Sequence, residues 1–218
     1  MSIAHPKSNA EIGQLGARYY DLAMDIMSLG NYGAFIRDAI KYMEIKPDDR
    51  ILDLGAGTGR NACEMMKYLS LNGELVALEI STAMISQFEK RCARYPNVRI
   101  IHRSVDQSLT YTREFDKVFL AFVLHGFPQT TRELIIENSS RALRDNGSLF
   151  ILDYNEFSLG RLPFYTKFLF YLTEHDYAFD FIKRDWKKIL TKHRFCNFNE
   201  HFFFDGYVRL LKAVKTIS

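Results

Sequence analysis

Cysteine is scarce. Cys63, Cys92 and Cys196 are odd in number and far apart in the chain, so their spacing supports neither a disulfide framework nor a CxxC metal site. They read as reduced packing residues. Charge of one sign is lacking too: 29 Lys and Arg against 26 Asp and Glu leave +3. That is too little to imply nucleic acid by itself, since dedicated binders carry basic patches or tails. No stretch approaches the ~20 apolar residues of a membrane-spanning helix. The opening MSIAHPKSNAEIG has no apolar signal core, so a cytoplasmic location is expected. Internal repeats, low-complexity tracts and linkers are also missing. What is present is globular texture, with 47% hydrophobic and 25% charged residues over 218 positions. At roughly 150 residues per domain, that length suggests one domain with a sizeable core. Aromatics are skewed, 17 of 31 lying between Tyr154 and Tyr207.

Ile12, Leu15, Tyr19, Leu22 and Ile26 recur at steps of three and four, one face of a helix. After Gly30-Asn-Tyr-Gly33, a second helix is expected to bury Phe35, Ile36, Ala39, Ile40 and Met43 and to end before Pro47. From Arg50 short apolar runs alternate with helical patterns. Ile51 to Leu54, Leu75 to Leu78, Val98 to Ile101, Val118 to Phe122 and Leu149 to Leu152 read as buried strands of a parallel sheet. Thr130-Thr-Arg-Glu133 has capping-box spacing for a helix through Leu143 that stops at Asp145-Asn-Gly147. A further helix should turn Ile182, Trp186, Ile189 and Leu190 inward and Lys183, Lys187 and Lys188 to solvent. Phe198 to Phe204 and Val208 to Val214, parted by Asp205-Gly206, read as a closing hairpin.

The most informative segment is Ile51-Leu-Asp-Leu-Gly-Ala-Gly-Thr-Gly-Arg60, a buried strand entering three alternate glycines and then a helix. Glycine lets the backbone turn tightly and approach a ligand where a side chain would collide. The spacing is GxGxG, with Asp53 two residues ahead, and so departs from the GxGxxG of dinucleotide sites. No Gly-Lys-Ser/Thr follows, which excludes a P-loop. Glu79 stands 20 residues after Gly59 at the end of the next strand, where a carboxylate can accept hydrogen bonds from both ribose hydroxyls.

At these residues the sequence resembles the class I S-adenosylmethionine-dependent methyltransferases. Asp53 to Gly59 is similar to their first motif and Glu79 to the ribose acid. Phe115-Asp-Lys-Val118 resembles their fourth strand and Leu143-Arg-Asp-Asn-Gly147 the turn before the fifth. The resemblance implies an α/β, Rossmann-like open sheet of seven strands, mostly parallel with the last reversed and helices on both faces. It divides residues 1–218, as one domain, into an N-terminal helical cap (1–46), a nucleotide-binding core (47–154) and an aromatic lid, helix and hairpin (155–218). It also implies that Asp53, Gly55, Ala56, Gly57 and Gly59 face the methionine part of S-adenosylmethionine. Ile80 and Val105 would border the adenine, and the Ala121 carbonyl would meet its amino group. An Asp is frequent where Ser104 stands; Ser104 could substitute, Asp106 could reach in, or Ser104 could simply end a strand.

Within that class the sequence is similar to the ubiquinone/menaquinone biosynthesis C-methyltransferases. The similarity rests on Tyr20-Asp21, Met27-Ser-Leu-Gly30 and the run from Arg141 to Tyr154. The family usually has Met-Asn, His and Trp where Ala23-Met24, Tyr32 and Phe35 stand, and Arg-Asn in place of His125-Gly126.

The donor implied here carries its own activated methyl group, so the protein need supply only alignment and exclusion of water; no metal is expected. No His, Cys, Asp and Glu cluster has ligand spacing, which argues against the metal-dependent catechol type. Leu120-Ala-Phe-Val123 replaces the Asn/Asp-Pro-Pro-aromatic turn of enzymes that methylate base amino groups. A phenol or quinol would need a base, for which His125, just past the fourth strand, is the first candidate. A core or capping histidine is the alternative, and Asp153 and Tyr154 at the end of the fifth strand are lesser candidates. Tyr19 or Tyr20 could cover the sulfonium. The aromatic stretch 162–172 reads either as core or as an apolar lid for a flat or lipid-like acceptor, with peripheral membrane contact through Lys167 and Lys183. The expected function is methylation of an apolar or aromatic small molecule, a quinol being favoured. The alternatives are an RNA or protein methyltransferase and a non-catalytic donor-binding subunit. Oligomeric state is not legible.

Overall fold

The computed structural model describes residues 32–158 and 176–217. The expected first helix, the Tyr19-Tyr20 pair and the aromatic stretch 162–172 lie outside them.

The elements run α1 (Tyr32–Lys41), β1 (Arg50–Leu54), α2 (Arg60–Met65), β2 (Glu74–Glu79), α3 (Thr82–Cys92), β3 (Val98–His102) and β4 (Phe115–Ala121). There follow α4 (Gln129–Ala142), β5 (Leu143–Tyr154), α5 (Asp176–Phe181), α6 (Trp186–Lys192), β6 (Phe195–Phe203) and β7 (Val208–Lys215). The seven strands form one sheet in the order β3-β2-β1-β4-β5-β7-β6. Strands β1 to β5 pair in parallel, and β7 runs antiparallel to both β5 and β6, as the reversed last strand requires.

Alternation along the central strands sorts the core into two layers. Ile51, Leu75, Ala77, Phe119, Phe150 and Leu152 face a cluster that includes Phe35, Ile36, Ala39, Ile40 and Met43, the face expected of α1. Their neighbours Leu52, Leu54, Val76, Leu78, Val118, Leu120 and Ile151 pack on Ile135, Ile136, Trp186 and Leu190. Both faces are covered, which is why these strands read as continuous apolar runs rather than as alternating ones.

Several boundaries differ from the sequence reading. Helix α4 does not start from a Thr130 capping box. Pro128, with its fixed φ of −67°, is the N-cap, and its carbonyl receives the N–H groups of Thr131 and Arg132. Glu133 instead accepts the Gln129 side-chain amide at 3.0 Å. The helix also ends at Ala142, because Leu143 is already extended and paired with Phe115 before an irregularity that spans Arg144 to Gly147. The helix expected around Trp186 is two short ones, since Asp185 takes an extended conformation and caps α6 by accepting the Lys188 N–H at 2.9 Å. Lys183, Lys187 and Lys188 are exposed, as expected. The hairpin is present, with β6 starting earlier, at Phe195, and a turn through Phe204–Gly206.

Candidate active site

Parallel pairing brings the carboxyl ends of β1 to β5 to one edge of the sheet, the edge where open α/β sheets bind ligands. The Gly55–Gly59 loop, Glu79, Ser104, Ala121, Asp153 and Tyr154 all lie along it.

Gly55, Gly57 and Gly59 have φ of +77°, +55° and +80°, in the left-handed region that costs other residues energy. Their surroundings distinguish them. A Cβ on Gly55 would stand 2.7 Å from the Val123 side chain, and one on Gly59 would stand 2.7 Å from the Phe88 ring, so both are packed against the fold. Around a Cβ on Gly57 there is nothing within 4 Å, so this glycine borders open space. Behind the loop Asp53 is 1% exposed, and its Oδ2 has no hydrogen-bond partner. Burial first, then the neighbouring Glu79 carboxylate, pushes its acid up to about 8. A buried, unsatisfied carboxylate beside an open loop is a site built for a cationic ligand, as the amino end of a methionine moiety would provide.

Glu79 is fixed from its own backbone neighbourhood. Its Oε1 accepts the N–H groups of Ile80 and Ser81, each at 2.9 Å, and its Oε2 accepts the Gly57 N–H at 2.9 Å. A carboxylate has about four acceptor sites, so three bonds leave capacity for a ribose hydroxyl while locking the orientation. Ile80 and Ala121 are half-buried and Val105 is buried, along the same edge. Ser104 does not simply end a strand: its hydroxyl donates to Asp106, so the two candidates for one position form a pair. The residues present fit a donor such as S-adenosylmethionine in their chemistry: a buried carboxyl and an open loop could hold its cationic end, Glu79 keeps acceptor capacity for a hydroxyl, and Ile80 and Val105 offer apolar surface for its base. Asn61, in the first turn after the loop, has a buried Oδ1 without a partner and escaped the sequence reading.

Beyond β4 the chain makes a short 3₁₀ turn, Leu124–Gly126, that carries His125. Its Nδ1 is 2.8 Å from Oδ1 of Asp153, a carboxylate whose side chain is 2% exposed. The same carboxylate accepts the His125 N–H at 3.3 Å and the Tyr154 N–H at 2.8 Å. Two residues that the sequence offered as separate candidates thus form one unit, with the Tyr154 ring 5.1 Å from that of His125. The turn is held by Arg132, fully buried in α4, whose Nε donates to the Leu124 carbonyl at 2.9 Å and whose Nη1 reaches Asp180 at 2.6 Å. Nothing in the sequence singled out Arg132, because a buried arginine has no signature apart from the carbonyls it meets.

Aromatic rings continue along this edge. Phe122 lies 6.4 Å from His125, 6.3 Å from Tyr154 and 6.3 Å from Phe35. Phe35 in turn lies 4.9 Å from both Phe203 and Phe204. Phe122 holds φ of +56°, a strained value for a bulky residue. Among the described residues no group of three or more His, Cys, Asp or Glu is placed to hold a metal ion, and no helix is long and apolar enough to cross a membrane.

Comparison with known proteins agrees with this geometry. Residues 51–147 match a family model described as a methyltransferase domain. The strand order, the glycine loop and this match, which spans less than half of the chain, make it similar to methyltransferase domains. The chain is similar to the ubiquinone/menaquinone biosynthesis C-methyltransferase UbiE of Stenotrophomonas maltophilia, 29% identical over 151 residues that cover 64% of this chain and 56% of that protein. The Coxiella burnetii protein of the same name is 27% identical over 150 residues, covering 67% and 59%. The chain thus spans less than two thirds of these relatives' own length. In fold it superposes on an S-adenosylmethionine-dependent methyltransferase from Aquifex aeolicus with a TM-score of 0.66 at 15% identity, covering 94% of this chain and 99% of the other.

Proposed function

We propose that this protein transfers a methyl group from S-adenosylmethionine to the ring carbon or phenolic oxygen of an apolar, aromatic small molecule of the quinol class. The donor, when bound, supplies a methyl group already activated on a sulfonium. The chain's own residues align the two reactants, exclude water and move one proton.

The observation that carries the reading is the His125–Asp153 pair at the ligand edge of the sheet. A carboxylate at Asp153 only accepts, so it accepts a hydrogen bond from Nδ1–H and fixes the tautomer in which Nε2 bears the lone pair. Nε2 then accepts the acceptor's hydroxyl proton as the ring becomes nucleophilic, and Asp153 stabilises the imidazolium formed. The rings of Tyr154 and Phe122, 5.1 and 6.4 Å from that of His125, supply flat apolar surface beside it, which supports an aromatic acceptor. The similarity to quinone-pathway C-methyltransferases points the same way.

The test is incubation with methyl-labelled donor and a panel of quinols, catechols and simple phenols, read by mass spectrometry. A quinol product one CH₂ unit heavier and carrying the label supports the reading. Methylation of RNA or protein instead, or donor binding without turnover on any acceptor, contradicts it.

A further inference from the structure

Cys63 and Cys92, which spacing alone marked as separate packing residues, lie with their sulfurs 2.7 Å apart. Cys63 is half-buried in α2, directly after the glycine loop, and Cys92 is the buried last residue of α3. Both meet the same loop atom: the Gly59 carbonyl accepts the Cys63 N–H at 2.9 Å and lies 3.7 Å from the Cys92 sulfur. Arg91, beside Cys92, donates to the Thr58 hydroxyl of the loop at 3.0 Å.

We propose that Cys63 and Cys92 form an oxidative modification site, a dithiol that peroxide converts to an intramolecular disulfide, joining α2 to the end of α3 around the glycine loop. A disulfide needs an S–S distance of about 2.05 Å, so the sulfurs must close by less than 1 Å. Cys63 is the attacking thiol. The Cys92 hydrogen bond, with Arg91 and Arg94 adding, lowers its acid below the ordinary thiol value. Its thiolate attacks one peroxide oxygen and the O–O bond breaks. The departing hydroxide gains a proton and leaves as water, so that Cys63 becomes a sulfenic acid. Cys92 then attacks that sulfur. Its acid is raised chiefly by the bond to Cys63, next by burial and then by the Cys63 charge, and oxidation of Cys63 removes the first and last of these. The S–S bond forms, the S–O bond breaks, and hydroxide leaves with the Cys92 proton as a second water. In sum, two thiols lose two electrons and one peroxide gains them.

The inference is independent of the donor and acceptor assignments, and its test needs neither. Purified protein is treated with equimolar hydrogen peroxide, alkylated and mapped by peptide mass spectrometry. The expected result is loss of two hydrogens, a cross-link between the Cys63 and Cys92 peptides and alkylation of Cys196 alone. Closing a loop of about 30 residues should also raise the melting temperature by roughly 5 to 10 °C, reversibly on reduction. Amide exchange in residues 55–60 should slow in the oxidised form. In Cys63→Ser the cross-link and the temperature shift should both vanish, and in Cys92→Ser a dimedone-reactive sulfenic acid should persist on Cys63. Alkylation of both thiols after peroxide, or a cross-link through Cys196, would overturn the site. Unchanged exchange in residues 55–60 would overturn its link to the loop.

Discussion

Nδ1 of His125 and Oδ1 of Asp153 are 2.8 Å apart, although 28 residues and a whole helix separate them in the chain. The parallel pairing of β4 with β5 makes the contact, since Ala121 lies beside Leu152 and the 3₁₀ turn follows directly. If Asp153 sets the tautomer, Asp153→Asn should keep the fold and spoil the chemistry. An amide oriented to donate to Nδ1 puts the proton on Nε2, where the base is needed. Turnover should fall by about 10²- to 10⁴-fold, the usual contribution of a general base, with donor affinity unchanged. Full activity in that variant would return the pair to a purely structural role.

Asp53 is predicted to make donor binding depend on pH. Its acid is raised to about 8 in the folded protein, whereas an unfolded chain would ionise it near 3.8. The native state therefore holds the extra proton between those values. Asp53 accordingly contributes stability at low pH that is lost as pH rises from about 4 to about 8, with no further change above. A cationic ligand reverses the preference and expels the proton, so affinity should improve as pH rises toward 8 and then level. Calorimetry at pH 7 in buffers of different ionisation enthalpy should show about one proton released, and Asp53→Asn should release none.

The two glycines that look alike in the motif should fail differently. Gly59→Ala drives a methyl group into Phe88 and should lower the melting temperature. Gly57→Ala meets no atom within 4 Å, so beyond a backbone cost of about 1–2 kcal/mol its effect should fall on donor affinity. Thermal scans with and without donor separate the two outcomes. Equal stability losses with equal affinity losses would remove the distinction.

The strained Phe122 is predicted to serve the acceptor. Phe122→Gly relieves φ of +56° while removing the ring that links His125, Tyr154 and Phe35. The acceptor's KM should rise with little change in donor affinity, and overall stability should stay within about 2 kcal/mol of wild type. Collapse of the fold, or an unchanged KM, would mark the ring as packing.

Much of this was legible from local pattern. The five buried strands, the glycine loop and Glu79 follow from apolar runs and spacing, because a parallel sheet covered on both faces leaves that signature in sequence. The helix starts were less so. Thr130 to Glu133 satisfies the capping-box pattern, yet Pro128, two residues earlier, fixes the backbone that begins α4. Contacts made by tertiary folding left no local trace. The His125–Asp153 pair, the grip of Arg132 on the Leu124 carbonyl and the meeting of Cys63 with Cys92 each join residues from different elements. Sequence spacing could nominate His125 and Asp153 singly, and it gave no reason to nominate Arg132.

The central claim is that the loop and Glu79 bind S-adenosylmethionine, and titration calorimetry tests it most directly. The wild-type protein should bind S-adenosylmethionine or its demethylated product more tightly than NAD. Glu79→Ala, losing charged hydrogen bonds to the ribose, should weaken that binding by about 1.5–3 kcal/mol. Tighter binding of NAD, or an unchanged affinity in Glu79→Ala, would contradict the account.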